Sequence, residues 1–167
     1  MTFYTSVLRR SNDYVSTKKL CSLKLLEPGT RARVSSVISA AGMCGIEVVV
    51  FETYRSCERQ AELFAKGVTQ LRDVSTHHYG LACDVVRLVN GKPTWQTADY
   101  SFLGDLAREH QLIWGGDWGR PDLPNQFVDA VHVQRCAITR QEALFSGRWY
   151  PDAEYNPYDD MRTSTVI

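Results

Sequence analysis

His77, Asp84 and His132, with Asp129 three residues before the last of them, are side chains that can hold a metal ion and move a proton beside it. Two imidazoles and one carboxylate give a zinc ion three protein ligands and leave a fourth position for water. That arrangement belongs to catalytic sites, whereas structural zinc sites are closed. A further carboxyl group can then take a proton from the water. His77 and Asp84 lie too far apart in the chain for one helical turn, and Gly80 between them marks a turn or a close backbone approach. The run Leu81-Ala82-Cys83-Asp84-Val85-Val86 reads as a strand. On a strand Asp84 shares a face with Ala82, whose small side chain leaves room for a metal and its water, and Cys83 points the other way. Asp129 and His132, three apart, face opposite sides of a regular strand. A turn or bulge before His132 is therefore required if both serve one metal.

The pattern Ser75-x-His77-x-x-Gly80-x-Ala82-x-Asp84, followed by Asp129-x-x-His132, resembles the zinc-dependent D-alanyl-D-alanine carboxypeptidase and L-alanyl-D-glutamate peptidase family. These enzymes cut the stem peptide of bacterial peptidoglycan, and many phage endolysins are among them. Tyr54-Arg55-Ser56 followed by Glu58-Arg59-Gln60, and Trp114-Gly115-Gly116-Asp117-Trp118, resemble two further motifs of the same family, in the same order. The resemblance spans roughly residues 20 to 136. It implies one zinc ion per chain held by His77, Asp84 and His132, with Asp129 as general base. It places Arg55 against the scissile carbonyl or a substrate carboxylate. Trp114, His78 and Ser75 become candidates for the substrate side. The implied substrate is a peptidoglycan stem peptide, cut first of all at its L-alanyl-D-glutamate bond, with D-alanyl-D-alanine carboxypeptidase or dipeptidase activity second. Two readings from other classes stand beside these. One is a non-catalytic zinc module that binds cell wall, against which Asp129 argues because a binder needs no base. The other is a cysteine hydrolase using Cys57 or Cys136, for which the sequence offers no recognisable activating setting.

A chain of 167 residues can bury a large core without a disulfide or a structural metal. Its 19 basic and 19 acidic side chains balance, so composition advertises neither a nucleic-acid partner nor insertion into a membrane. The five cysteines, Cys21, Cys44, Cys57, Cys83 and Cys136, are odd in number and irregular in spacing, the usage of reduced thiols in a cytoplasmic product. Cys83 is expected to be buried and inert. Charges at Arg9, Arg10, Asp13, Lys18, Lys19 and Lys24 leave no apolar run of signal-peptide length. The expectation is synthesis in the cytoplasm, with a membrane pore or a secretion machine providing the route to the cell wall.

The elements that must position these groups follow from periodicity and punctuation. A short helix is expected before Pro28-Gly29, then a helix from a Thr30 cap through Met43 with Val34, Val37, Ile38 and Ala41 on one face. Ile46 to Glu52 reads as a core strand. Ser56 caps a helix stopped by Gly67. Residues 68 to 78 form the loop that delivers His77. The strand over Leu81 to Val89 ends at Asn90-Gly91, a favoured hairpin turn. A helix over Ala98 to His110, a short strand at Leu112 to Trp114 and a Gly/Pro-rich loop through Asn125 follow. Val131 to Arg135 is the strand bearing His132, and Thr139-Arg140-Gln141-Glu142 reads as a capping box. The fold class is α+β, a small, largely antiparallel sheet with packed helices, of the Hedgehog/DD-peptidase-like kind by the resemblance. The chain divides into a single peptidase domain over residues 1 to 150 and a tail over 151 to 167, which reads as a surface-draped terminus.

Overall fold

Strand alternation and the pairing register account for how the sheet is built in the computed structural model, which describes residues 1–119 and 127–162. The strands are β1 (Val48–Glu52), β2 (Ala82–Val89), β3 (Lys92–Pro93), β4 (Ile113–Trp114) and β5 (His132–Gln134). They pair antiparallel throughout, in the order β1-β2-β5-β4, with β3 on β2. Successive residues of β2 therefore go to opposite faces. Cys83 and Val85 enter the main core and pack with Val133 of β5, whereas Asp84 stands directly across the ladder from His132. The hairpin after β2 has positive φ at both Asn90 (51°) and Gly91 (72°), the geometry that a tight two-residue turn demands.

The helices are α1 (Phe3–Ser6), α2 (Pro28–Met43), α3 (Cys57–Ala65), α4 (Ser101–Glu109), α5 (Gln141–Phe145) and α6 (Pro157–Arg162). Val34 and Val37 of α2 and Leu103 and Ala107 of α4 close the core over the sheet, with Leu26, Tyr100 and Leu112 filling between them. This is the expected α+β arrangement. Some local boundaries differ from the sequence reading. The α2 helix starts at Pro28, and its cap is Glu27, whose carboxylate accepts from the Gly29 and Thr30 amides at 2.9 and 2.7 Å. Proline at the first helical position loses nothing, because that amide would have no intrahelical partner. Thr30 sits inside the first turn and donates its hydroxyl to the same carboxylate. The expected capping box at Thr139 does not form. Residues 138–140 make a 3₁₀ turn, and α5 follows without a side-chain cap. The expected loop through Asn125 lies, from residue 120 on, outside the described residues.

The residues after Pro151 are tied to the body by one buried cation. Arg135, completely buried, pairs with Glu27 at 3.0 Å and donates to the carbonyls of Asp152, Ala153 and Tyr155 at 2.6 to 3.0 Å. Tyr158 adds a hydrogen bond to the Leu112 carbonyl, and Arg140 pairs with Asp160. Among the described residues no helix is long and apolar enough to cross a membrane.

Candidate active site

The site is assembled at the edge where β2, β5 and the 3₁₀ turn Thr76–Tyr79 meet. Gly80 ends that turn with φ at 70°, and a Cβ there would lie 2.8 Å from the Leu25 carbonyl oxygen. Only glycine satisfies both the left-handed backbone and the close approach. His77 projects from the turn, and Asp84 and His132 face each other across the ladder. All three are buried.

The tautomers of both histidines are set by their outer partners. His77 Nδ1 lies 2.8 Å from the Thr53 carbonyl oxygen, which can only accept, so Nδ1 carries the proton. His132 Nε2 lies 3.0 Å from Gln134 Oε1. The Gln134 amide is oriented because its nitrogen donates to the Cys136 carbonyl, and Thr76 donates to its oxygen at 3.1 Å. His77 Nε2 and His132 Nδ1 both face inward, where they offer lone pairs to a metal when unprotonated and bond Asp84 when protonated, the usual outer-partner logic of metal-binding imidazoles. They stand 3.2 Å apart, and Asp84 Oδ1 lies 3.2 Å from the first and 3.0 Å from the second. Ligands about 2.0–2.1 Å from a tetrahedral zinc ion lie roughly 3.3 Å from one another. The donor set and its spacing therefore fit a zinc ion. His77, Asp84 and His132 are, among the described residues, the cluster able to hold a metal. Each also has a partner outside the triangle: the Thr53 carbonyl for His77, Gln134 for His132 and Arg55 for Asp84.

The charges of the site shift one another. Burial alone would push the Asp84 carboxyl up, but the neighbouring His77 charge and the hydrogen bonds from both histidines hold it well below the ordinary carboxylate range. Burial works to lower His132, yet the bond and charge of Asp84, helped by Asp129, raise it. Asp129 is raised, first by burial and then by the Asp84 charge, against the pull of His132, His77 and Arg55. The turn that the i, i+3 spacing required is present. The His132 amide donates to the Asp129 carbonyl at 3.2 Å, which brings both side chains to one side. Gly115 makes that turn possible. Its carbonyl accepts from the Asp129 amide at 3.0 Å, and a Cβ on it would meet the Asp129 carbonyl and lie 3.1 Å from His132 Cβ.

Arg55 follows β1 and reaches into the site. Its Nη2 bonds Glu52 Oε2 at 2.5 Å and Asp84 Oδ2 at 3.2 Å, its Nε bonds Glu52 at 2.9 Å and its Nη1 meets Gln60 at 3.3 Å. One guanidinium thus grips the Asp84 oxygen that faces away from the histidines. Glu52 and Gln134 were not picked out from the sequence, and Gln60 only as part of the Glu58-Arg59-Gln60 segment. Glu52 and Gln60 hold Arg55 from nearby in the chain, whereas Gln134 depends on Thr76, 58 residues away.

Two cavities meet here. One, of about 250 Å³, is lined by Ser75, His77, His132, Trp118 and Gln141 among others. The second, of about 300 Å³, is lined by Asp84, Phe51, Arg59, Trp95 and Thr97 among others. They share Arg55, Thr69, Phe127 and Asp129. Ser75 Oγ and Trp118 Nε1 are both buried on the first cavity's wall without a hydrogen-bond partner among the described residues. Two residues assigned to the substrate side take other places. Trp114 lines neither cavity. Its ring fills the main core, donates to the Ala130 carbonyl at 2.7 Å, and occupies space that a Cβ on Gly104 or Gly116 would take. The neighbouring glycines exist for the ring, and Trp118, not Trp114, walls the cleft. His78 turns away from the triad into a ring of Tyr4, Tyr14, Tyr54 and Tyr79, with Tyr4 hydrogen-bonded to its Nε2 at 3.0 Å. Adjacent residues on a tight turn point in different directions, so His78 anchors the N-terminal segment.

Burial raises three of the five thiols. Cys83 is fully buried, and burial raises its thiol far above the ordinary range. Burial pushes Cys136 up to about 12 and also raises Cys57. A cysteine nucleophile needs the opposite shift.

Comparison with known proteins agrees with this architecture. Residues 69–135 match the profile of a family described as D-alanyl-D-alanine carboxypeptidase. The chain is 29% identical over 127 residues to the peptidoglycan L-alanyl-D-glutamate endopeptidase CwlK of Bacillus subtilis, an alignment covering 65% of this chain and 72% of that one. It is 31% identical over 125 residues to the L-alanyl-D-glutamate peptidase of Listeria phage A118, covering 72% of this chain and 42% of the phage protein. Its fold resembles that of the Serratia marcescens L-Ala D-Glu endopeptidase ChiX, with a TM-score of 0.55, 23% identity, and coverage of 71% of this chain and 90% of that one.

Proposed function

We propose that the chain, which resembles the D-alanyl-D-alanine carboxypeptidase family over residues 69–135, is a zinc-dependent hydrolase of the L-alanyl-D-glutamate bond in peptidoglycan stem peptides. The observation that carries the reading is the triangle of His77 Nε2, His132 Nδ1 and Asp84 Oδ1, with edges of 3.0 to 3.2 Å, at the junction of two cavities and beside a raised carboxyl. When bound there, a zinc ion supplies Lewis acidity, making water more acidic and a carbonyl more electrophilic.

The chain's own groups do the rest. Asp129 accepts the proton of the attacking water, and its raised carboxyl suits it to return that proton to the leaving amine. Arg55, fixed by Glu52 and Gln60, holds Asp84 in place and turns its cavity face to the oxyanion that develops on the scissile carbonyl. The Ser75 hydroxyl and the Trp118 indole N–H are positioned to meet polar atoms of the bound peptide. Burial of the triad excludes bulk water, which strengthens each of these interactions.

A cleft that continues past the reacting groups in two directions suits an endopeptidase, which must hold chain on both sides of the bond. One cavity runs toward Ile138 and Gln141, the other toward Phe51 and Trp95. The two relatives named for L-alanyl-D-glutamate activity support the same bond. Mass spectrometry of muropeptides digested with and without a chelator tests the proposal. The expected products are a free L-alanine carboxyl and a new D-glutamate amine, both abolished by chelation. Release of D-alanine alone would make it a carboxypeptidase, and unchanged muropeptides would end the peptidase reading.

A further inference from the structure

Trp95 is a large aromatic side chain that the core does not use. It is 56% exposed and forms part of the wall of the cavity that also contains Asp84, Arg55 and Asp129. It stands nearly perpendicular to Phe51, at 80° with centroids 5.1 Å apart, and the Lys19 ammonium covers the Phe51 ring at 3.7 Å. Phe51 is thereby occupied, and the Trp95 ring remains as the open aromatic surface. Arg59 and Thr97 lie on the same wall. An exposed indole with polar neighbours, continuous with a catalytic cleft, calls for a ligand with one apolar face and a polar rim.

We propose that Trp95 is the platform of a sugar subsite, which takes the N-acetylmuramyl ring to which the stem peptide is attached. The inference rests on the stem-peptide reading above and deepens it. A pyranose has a face of C–H bonds that stacks on an indole and a rim of hydroxyl and acetamido groups that bond polar side chains. Reach agrees. Between the scissile L-alanyl carbonyl and the sugar lie only the L-alanine and a lactyl group, together at most roughly 7 Å, about two residue lengths. A ring so tethered must lie against a wall of the cleft next to the reacting groups, and the Trp95 cavity is such a wall. Direction agrees as well. The peptide beyond D-glutamate carries free carboxylates, which need hydrogen-bond donors. The other cavity holds the two buried donors without partners among the described residues, Ser75 Oγ and Trp118 Nε1. The sugar end therefore goes to the aromatic side and the carboxylate end to the donor side.

The test compares one stem tripeptide carrying either an acetyl cap or an N-acetylmuramyl group at its L-alanine. Zinc-loaded wild-type enzyme is expected to cleave the muramyl substrate with a kcat/KM about tenfold higher. Trp95→Ala should abolish that preference, losing about tenfold more on the muramyl substrate than on the acetyl peptide, and Trp95→Phe should keep most of it. No preference in the wild type, or an equal loss on both substrates in Trp95→Ala, overturns the sugar subsite while leaving the peptidase reading intact. Cleavage of neither substrate by the wild type refutes the peptidase reading instead. Fluorescence titration with the muramyl tripeptide then decides the subsite. Saturable quenching that is larger in the wild type than in Trp95→Phe sustains it, and equal quenching in the two overturns it.

Discussion

Asp129 carries a cost that its proposed chemistry explains. Its carboxyl is raised, by burial first and by the Asp84 charge second, so the folded chain disfavours its ionised form. Below the ordinary carboxylate range both folded and unfolded chains hold it protonated, and the cost vanishes. It develops as pH rises through the unfolded value and is complete above the folded one. In metal-free protein, Asp129→Asn should therefore raise Tm at neutral pH and leave it unchanged in strong acid. Thermal melts in chelator at the two pH values measure this. The same substitution should keep the metal triangle but lower turnover on the order of 10²- to 10⁴-fold. A near wild-type rate would assign the base elsewhere. Arg55 separates two roles in the same way. Lysine cannot span Glu52 and Asp84 with one planar fork. Arg55→Lys should weaken metal affinity by about 10- to 100-fold, as removal of an outer partner does. With saturating zinc, kcat should still be low and KM nearly unchanged, since oxyanion stabilisation acts only in the transition state. A normal kcat under saturation would reduce Arg55 to holding Asp84.

At the scale of elements, the residue that decides the site is one with no side chain. Gly115 ends β4 and begins the 3₁₀ turn 115–117, and its backbone holds the Asp129 amide. A Cβ there meets the Asp129 carbonyl and the His132 side chain, which are backbone or closely packed and cannot swing away. Gly115→Ala is expected to destabilise by about 1–3 kcal/mol, the usual cost of overpacking. It should lower turnover disproportionately, because about 1 Å of misplacement at the reacting groups can cost around 10²-fold. Denaturant melts and kinetics on one preparation compare the two losses. Proportionate losses would mean that the turn merely stabilises the fold. Gly116 and Gly104 serve a different purpose, clearing space for Trp114. The Trp-Gly-Gly-Asp-Trp motif thus divides its work: Trp114 fixes β4 to the core, Gly115 makes room for Asp129, and Trp118 walls the cleft.

For the whole molecule, three buried apolar clusters supply a core large enough to need no metal staple. Chelation should abolish hydrolysis while far-UV circular dichroism keeps its folded form. Tm should still fall, because zinc at 100 times its Kd adds about 2.7 kcal/mol by mass action. Loss of the folded spectrum on chelation would make the site structural. A second stabilising device lies far from the cleft. The buried Arg135–Glu27 pair joins β5 to the cap of α2 and holds the segment after Pro151 through three carbonyls. Removing one partner of such a pair leaves the other charged and buried, which is why both ends of the contact are needed.

The sequence by itself determined the candidate metal cluster, the strand carrying Asp84, the Asn90-Gly91 hairpin and the antiparallel α+β class. These depend on short-range signals: residue type, spacing, strand alternation and turn chemistry. Even the need for a turn between Asp129 and His132 followed from strand geometry. Only the tertiary structure decided which way each neighbouring side chain went. His77 and His78 are adjacent and of one type, yet one faces the metal triangle and the other a ring of tyrosines drawn from the N-terminal segment and β1's flank. Trp114 and Trp118 are equally apolar, yet one fills the core and the other the cleft. Glu27 and Gln134 meet Arg135 and Thr76 across 108 and 58 residues, and a hydrogen bond or ion pair over such a separation leaves no pattern in one chain. Periodicity records the face of an element, and packing between elements settles what that face meets.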